Sequence, residues 1–235
     1  MDMLFLFLVG LCVGSFCNVL AKRLPRGEDV LVTRSHCDFC KKTLAWYELI
    51  PLFSFFLQAR RCRHCHKKLS FRYPLIELIF GCVFVLIGWN MTLLALFSMS
   101  MVIVLADLEY FIIPDVTLVV IGLVALTMHP TLAHFYSALG AFIGFYFLYI
   151  LTKRKGMGFG DVKLVGVLGL LLGFPNIVVS LYVAFLTGAI VGVILMIGGK
   201  AKMKTKVPFG PFLILGALIS YLYGATIWQW WAQFV

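Results

Sequence analysis

Apolar residues dominate this chain in long runs, and polar residues collect in the gaps between the runs. A helix that crosses a bilayer needs about 20 apolar residues, with a range of roughly 17–25. By that measure the sequence predicts eight apolar helices, which cover residues 3–21, 74–89, 92–107, 116–129, 132–152, 162–174, 177–198 and 209–227. The segments 116–129 and 162–174 are short for a span, and we expect neighbouring helices to shield them.

The composition agrees with a polytopic membrane protein. Hydrophobic residues make up 62% of the 235 residues and charged residues 13%, whereas soluble domains carry about 25% charge. We therefore predict an all-α fold, a polytopic membrane helical bundle of about eight transmembrane helices. The first apolar run lacks a basic start and a small-residue cleavage pattern, and it ends at Lys22 and Arg23. We expect it to be a retained spanning helix rather than a cleaved signal peptide.

The net charge of +10 is compatible with a nucleic-acid partner, but the distribution of the charges indicates a topology instead. All twenty Lys and Arg lie within residues 22–72, 153–163 and 200–206. Short basic loops mark the cytoplasmic side of a membrane. With the N-terminus outside, eight helices place every basic cluster inside, and residues 22–73 become a cytosolic insert. We expect acidic lipid headgroups, and no nucleic acid, as the partner of the basic face.

Four of the seven cysteines form two C-x2-C pairs inside this insert, Cys37, Cys40, Cys62 and Cys65. Paired thiolates at this spacing close a tetrahedral zinc site, and a short insert gains stability from such a metal. Two disulfides or a redox pair are the alternatives, and a reducing cytosol disfavours disulfides. His36, His64 and His66 lie beside the pairs. Because four thiolates complete the shell, we expect these histidines to be neighbours of a zinc-knuckle site rather than ligands.

Ionisable residues at membrane depth are often functional, and five of the ten acidic residues lie in or beside the predicted helices, Glu77, Asp107, Glu109, Asp115 and Asp161. Asp107 closes the predicted helix over 92–107, and Asp161 opens the predicted helix over 162–174. Both helix ends face the cytosol in the predicted topology. The two carboxylates therefore lie at similar depth, as a two-aspartate catalyst requires. A helix N-cap for Asp161 and an interfacial position for Asp107 are the alternatives.

Two of the remaining acidic residues have competing interpretations. We expect Asp115 to be the N-cap of the helix that follows it, with a catalytic role as the alternative. Glu77 follows one turn after the start of its helix, within reach of Arg72 on that helix and of Asn18 and Lys22 on the first helix. For Glu77, a structural pairing and substrate binding are equally compatible with the sequence.

Seven motifs occur in order along the chain: VGSFCNVLAKRLPRG (13–27), CDFC with CRHC, WYELIPLFSFF (46–56), FRYPLIELIFG (71–81), DLEYFIIPD (107–115), GMGFGDVKL (156–164) and VPFGPFL (207–213). In this combination the chain resembles the type IV prepilin peptidases, also called leader peptidase/N-methyltransferases. The resemblance implies an aspartic protease of the bacterial inner membrane that removes the short basic leader of type IV prepilins or pseudopilins on the cytoplasmic side. It also implies N-methylation of the new terminal residue with S-adenosylmethionine.

Residue by residue, the resemblance implies Asp107 of DLEYFIIPD and Asp161 of GFGD as the catalytic pair, and it implies the four paired cysteines as zinc ligands. Residues 1–90 then hold one helix, the insert and a return helix, in the region tied to methyl transfer, and residues 91–235 form the peptidase bundle. The motifs contain no glycine-rich cofactor loop, so methyl transfer is expected from the resemblance alone and no residue is assigned to it.

Three other classes of protein share some of these features. A presenilin-like intramembrane protease shares the Gly-x-Gly-Asp signature, but the position of Asp107 at a helix end and the cysteine insert argue against it. A transporter whose acidic residues bind ions leaves the insert without a purpose. An assembly scaffold with a zinc docking module has neither reaction, so cleavage of a prepilin separates it from a peptidase.

Overall fold

The computed structural model describes residues 2–30, 33–153, 157–199 and 207–233. Within these ranges the chain forms nine α-helices and no β-strand. The helices are α1 (Asp2–Arg23), α2 (Phe53–Leu57), α3 (Arg72–Ile87), α4 (Met91–Tyr110), α5 (Asp115–Met128), α6 (Leu132–Leu151), α7 (Phe159–Leu172), α8 (Asn176–Ile197) and α9 (Gly210–Ala232). Gly156 and the basic residues at 154–155 and 200–206, which the sequence analysis used, lie outside the described residues.

Every helix except α2 lies over one of the eight predicted apolar segments. Five helices of the described chain are long and apolar enough to cross a membrane, namely α1, α4, α6, α8 and α9. The remaining three helices that lie over predicted apolar segments are α3, α5 and α7, and they have 16, 14 and 14 residues. The chain is therefore an all-α, multi-pass membrane protein.

The chain divides into two compact units, Met1–Val102 and Ile103–Val235, with the boundary inside α4. In the first unit α1 and α3 pack at backbone contact through glycines. A Cβ atom at Gly10 would lie 2.6 Å from the carbonyl oxygen of Phe80, and one at Gly14 would lie 2.8 Å from the Phe80 Cβ. Gly10 and Gly14 form the G-x3-G spacing that lets membrane helices approach closely, a signal that the sequence analysis did not use.

The insert between α1 and α3 contains two turns with the same geometry, which we call the knuckles. In each knuckle the N–H of the first cysteine, Cys37 or Cys62, donates to the carbonyl five residues later at 3.0 Å. The residue four positions after that cysteine has a positive φ, 59° at Lys41 and 55° at His66. Both turns therefore have the same left-handed step directly after the second cysteine, and the N–H of the residue with the positive φ donates to the carbonyl of the first cysteine at 2.9 Å.

Charged residues at the end of α1 hold the insert in place. The guanidinium group of Arg23 is buried and donates to three backbone carbonyls, those of Asp29, Thr33 and Arg34, at 3.2, 2.7 and 3.1 Å. Lys22 pairs with Asp38 at 2.7 Å and with the hydroxyl of Tyr73. Burial raises the pKa of the Asp38 carboxyl, but the hydrogen bond and charge of Lys22 outweigh burial, and the net pKa lies below its usual value.

The short helix α7 lies at the centre of the second unit, where it packs against α5, α6, α8 and α9. Val162, Leu164 and Val165 are fully buried. A Cβ atom at Gly169 would lie 2.9 Å from the Cα of Ala138, so α6 and α7 also meet at backbone contact. Neighbouring helices therefore shield α7, as expected for a segment too short to span alone. In contrast, α5 leaves most of one face exposed.

Candidate active site

Asp107 lies in the last turn of α4, which continues to Tyr110 rather than ending at Asp107 as predicted. Phe111 follows the helix with a φ of +57°, and its N–H donates to the carbonyl of Asp107 at 3.0 Å. Asp107 is buried, with an exposed fraction of 5%. Its Oδ2 accepts a hydrogen bond from the backbone N–H of Gly210 at 2.8 Å.

Gly210 is the first residue of α9, in the VPFGPFL motif. The N–H groups of a first helical turn have no partner within the helix, so this N–H is available to a carboxylate from another helix. A Cβ atom at Gly210 would lie 2.8 Å from Oδ2 and 3.2 Å from Cγ of Asp107. Any side chain larger than hydrogen would therefore displace the carboxylate. The motif is part of the family resemblance, but the sequence alone predicted no role for its glycine.

Asp161 is the third residue of α7, because the helix begins at Phe159 and its N-cap is Gly158. Oδ2 of Asp161 accepts from the N–H of Gly158 at 3.1 Å, and the N–H of Asp161 donates back to the Gly158 carbonyl at 3.2 Å. Asp161 is therefore not the N-cap that the alternative interpretation proposed, but its side chain accepts from the N-cap N–H from the third position of the helix. Its exposed fraction is only 7%. Capping does not require such burial, so capping alone does not explain the position of Asp161.

The glycines before Asp161 are needed for close packing within the protein. A Cβ atom at Gly158 would lie 3.3 Å from Oδ2 of Asp161, and one at Gly160 would lie 3.2 Å from the Cβ of Ile113. Ile113 belongs to the segment between α4 and α5. The glycines therefore allow the start of α7 to approach the end of α4.

Helices α4 and α7 bring the two carboxylates together from distant positions in the sequence. The charge of Asp107 acts on the carboxyl group of Asp161, so the two groups lie within electrostatic range of each other. In the described part of the chain, hydrogen bonds engage only Oδ2 of each aspartate, and neither forms a salt bridge. Buried carboxylates without a cation are unfavourable for folding. Such a pair is a strong candidate for a catalytic site.

Asp115 has a different environment from these two aspartates. It is the first residue of α5, and Pro114 is the N-cap, so the prediction that Asp115 is the N-cap is wrong. Its carboxylate instead pairs with the ammonium group of Lys163 on α7, with distances of 2.7 and 2.9 Å from Nζ to Oδ1 and Oδ2. The Asp115 side chain is 68% exposed. The pair joins α5 to α7 on the surface of the second unit.

Glu77 lies in the first unit and is buried in α3. Its Oε2 accepts a hydrogen bond from the backbone N–H of Leu52 at 2.8 Å. Leu52 precedes α2 and has a φ of +60°. Asn18, one of the expected partners, donates to the carbonyl of Gly14 instead. Glu77 therefore holds a left-handed turn of the insert against α3, which favours the structural interpretation over substrate binding.

The four paired cysteines form a single cluster. The Sγ atoms of Cys37, Cys40, Cys62 and Cys65 all lie within 4.8 Å of one another, and no disulfide joins them. The Sγ atoms of Cys37 and Cys65 are 3.9 Å apart. Four sulfurs at about 2.3 Å from a tetrahedral zinc ion are about 3.8 Å apart, so the donor set fits this metal. His36, His64 and His66 are not part of the cluster that the described residues form.

The environment of Cys62 favours a thiolate. Hydrogen bonds from the backbone N–H groups of Cys65 and His64 lower the pKa of the Cys62 thiol to about 7, although burial opposes them. Burial raises the pKa of Cys37. Because the thiolate is the form that binds metal, this environment suits Cys62 to be a metal ligand.

Two family models match the chain. The model of the bacterial peptidase A24 N-terminal domain covers residues 8–91, and the model of the type IV leader peptidase family covers residues 94–193. The first match contains the cysteine cluster, and the second contains both Asp107 and Asp161. No solved structure matches the chain with significance.

Several relatives bear the name prepilin leader peptidase/N-methyltransferase. The relative from Bacillus subtilis strain 168 is 33% identical over 234 residues, which is 94% of this chain and 94% of the relative. The relative from Myxococcus xanthus strain DK1622 is 37% identical over 86% of this chain and 66% of its own length. The relative from Aeromonas hydrophila is 31% identical over 96% of this chain and 92% of its own length. The resemblance seen in the seven motifs is thereby confirmed, and this chain belongs to the type IV leader peptidase family.

Proposed function

We propose that this chain is a membrane aspartic endopeptidase that removes the short leader of type IV prepilins or pseudopilins at the cytoplasmic face. The observation that carries the proposal is the buried, cation-free pair of Asp107 and Asp161 among the described residues of a type IV leader peptidase family member. Relatives named for prepilin leader cleavage cover nearly the whole chain. The family, the pair and the membrane helices together favour a peptidase over a transporter or a scaffold.

The two aspartates divide the chemistry of hydrolysis between them. Two carboxyl groups that share a buried site do not both ionise easily, so one holds a proton while the other acts as a base. The ionised carboxylate removes a proton from a water molecule as that water attacks the scissile carbonyl carbon. The protonated carboxyl donates to the carbonyl oxygen as the tetrahedral intermediate forms. The N–H groups of Gly158 and Gly210 hold Oδ2 of each aspartate in place for these steps.

We also propose that the chain N-methylates the new N-terminus with S-adenosylmethionine. The printed name of the relatives, which includes N-methyltransferase, supports this second activity. We propose that residues 1–90 carry it and that residues 91–235 form the peptidase bundle. The separate family matches to residues 8–91 and 94–193 support this division. No residue of this chain is assigned to the methyl donor.

The cysteine cluster is proposed to hold one structural zinc ion. Cys37, Cys40, Cys62 and Cys65 would be the ligands, and the ion would cross-link the two knuckles. The mutual distances of the four Sγ atoms support this assignment. The insert contains few buried apolar side chains, so the metal cross-link would supply stability that its core does not.

We propose eight transmembrane helices, with the N-terminus outside and the insert in the cytosol of a bacterium, so that the protein lies in the inner membrane. The eight apolar helices and the placement of all twenty Lys and Arg in three stretches support this arrangement. In it, the end of α4 and the start of α7 both face the cytosol, where Asp107 and Asp161 would meet a leader.

Cleavage of a synthetic prepilin by the purified protein in detergent tests the proposal. Mass spectrometry should show a shortened pilin, and addition of S-adenosylmethionine should increase the mass of that product by one methyl group. A transporter or scaffold gives no product, and a presenilin-like protease cuts inside the apolar segment of the pilin. Cleavage without methylation would support the peptidase proposal and contradict the methyltransferase proposal.

A further inference from the structure

Residues 46–57, WYELIPLFSFFL, which we call the apolar segment, have an inverted arrangement of polar and apolar side chains. Trp46, Phe56 and Leu57 are 77%, 70% and 69% exposed. The only charged residue of the segment, Glu48, is 8% exposed. A segment on a protein surface in water normally shows the opposite arrangement, with the charge outside and the large apolar groups inside.

The inversion is a specific feature of the fold. Oε2 of Glu48 accepts from the N–H of Ala45 at 2.9 Å, so the carboxylate turns inward to cap the 3₁₀ turn Trp46–Leu49. Phe55 is buried and packs on Phe71 with a centroid distance of 5.5 Å. These inward contacts fix the segment, and they direct the remaining apolar side chains outward.

Basic side chains border the exposed rings. The guanidinium group of Arg63 lies 5.3 Å from the ring centroid of Tyr47, and the ammonium group of Lys67 lies 5.4 Å from that of Phe39. Residues 33–72 contain nine Lys and Arg but only two acidic residues, Asp38 and Glu48. Exposed aromatic rings accompanied by cations are typical of segments that lie in the interface of a membrane.

The insert is also held close to a bilayer by both of its ends. It leaves α1 at Arg23 and enters α3 at Arg72, and both helices are apolar. An exposed apolar surface of this kind marks either a membrane or a protein contact. The excess of cations favours an anionic lipid surface, and it disfavours a basic peptide such as the leader that the family resemblance implies.

We propose that the apolar segment inserts into the headgroup region of the cytoplasmic leaflet and that the surrounding cations bind anionic phospholipid headgroups. Trp46, Phe53, Phe56 and Leu57 reach the boundary of the acyl chains. The insert is then a membrane-bound platform rather than a domain free in the cytosol. This inference does not depend on the peptidase activity.

Trp46 provides a direct probe of this contact in the full-length protein. The parent protein and Trp46→Phe are reconstituted into vesicles of phosphatidylcholine with and without phosphatidylglycerol, and the difference between their emission spectra gives the signal of Trp46. We expect lipids brominated near the headgroup end of the acyl chains to quench this signal and its maximum to lie at shorter wavelength than in water. Phosphatidylglycerol should increase the quenching, and high salt or Lys67→Gln with Lys68→Gln should reduce it.

Trp89 provides the matched control, because it lies outside the insert, between α3 and α4, and stacks on Phe5 of α1. The difference signal from Trp89→Phe should show quenching that does not depend on phosphatidylglycerol. Phe56→Trp in the Trp46→Phe background provides a second probe at a position that is 70% exposed. Emission from both probes that is unquenched in anionic vesicles would overturn the inference. Acrylamide quenching of the Trp46 signal in detergent separates the other occupants. Protection that appears only with added prepilin would overturn the inference in favour of the substrate. Protection that appears only at high protein concentration would overturn it in favour of a second copy of the chain.

Discussion

The cysteine cluster of the first unit and the aspartate pair of the second unit are built in different ways. Each knuckle is a local turn that carries two of the four cysteines, and the same turn occurs twice. No single turn holds the aspartate pair, because Asp107 lies near the end of α4 and Asp161 lies at the start of α7. The backbone N–H groups of two glycines, Gly158 and Gly210, donate hydrogen bonds to the two carboxylates.

The two regions also differ in what they contribute to stability. The proposed zinc ion would cross-link the four clustered thiolates and so stabilise the fold of the insert. Two buried carboxylates without a cation are unfavourable for folding, so the pair has no stabilising role of its own and is explained here by the proposed catalysis. Removal of the side chains should therefore have opposite effects in the two regions. The aspartates should matter for cleavage and little for stability, and the cysteines should matter for stability and less for cleavage.

The largest effect on cleavage is expected from the aspartates. Asp107→Asn and Asp161→Asn each keep the shape of the side chain but remove the group that holds or accepts a proton. Each should reduce the rate of prepilin cleavage by about 10³-fold or more, within the range of general acid–base catalysis. The melting temperature should equal or exceed that of the parent protein, because a buried charge is gone. Cleavage assays and thermal unfolding in detergent measure both quantities.

Asp2→Asn is the matched control for these variants, because Asp2 is exposed at the start of α1. It should cleave like the parent protein. Near-parental cleavage by either Asp107→Asn or Asp161→Asn would remove that residue from the catalytic pair. A large drop in melting temperature would show that the carboxylate supports the fold instead.

The next effect is expected from Gly210→Ala, which tests how the pair is positioned. The added methyl group would lie 2.8 Å from Oδ2 of Asp107 and must displace it. A displacement of about 1 Å costs up to about 10²-fold in rate, so kcat should fall by about 10–100-fold while KM changes little. Gly192→Ala is the matched control, since a Cβ atom there meets open space. Equal kcat in the two variants, or a rise in KM alone, would contradict a positioning role for Gly210.

The sequence was sufficient to predict most of the helices, because apolar runs and basic loops have direct physical signatures in a membrane. The clustering of the four cysteines was also predictable, since C-x2-C spacing reflects a local turn. The role of Gly210 was not predictable, because its N–H meets Asp107 only after α4 and α9 have packed together. The pairing of Asp115 with Lys163 was missed for the same reason, as the two residues belong to different helices.

A smaller effect on cleavage is expected when the cysteine cluster is broken. Cys37→Ser with Cys40→Ser removes two of the four thiols, and metal analysis should show a fall from about one zinc ion per chain to none. The insert should unfold at a lower temperature, and the loss of cleavage should be smaller than that of Gly210→Ala. Cys12→Ser with Cys82→Ser is the matched control, because both residues are exposed and outside the cluster. Retention of zinc by the Cys37 and Cys40 variant would contradict the ligand assignment.

The smallest effect on cleavage and stability is expected when the ion pair between Asp115 and Lys163 is broken, although Lys163 is only two residues from Asp161 in the sequence. The two side chains are 68% and 35% exposed, and exposed ion pairs contribute about 0–1 kcal/mol to stability. A double-mutant cycle of Asp115→Asn and Lys163→Gln should therefore give a coupling energy below about 1 kcal/mol and change cleavage by less than about fivefold. A loss of cleavage in Asp115→Asn as large as that in Asp107→Asn, with normal cleavage in Lys163→Gln, would instead make Asp115 a third catalytic carboxylate. The small expected effect follows from solvent exposure, which separates this paired carboxylate from the two buried, cation-free ones.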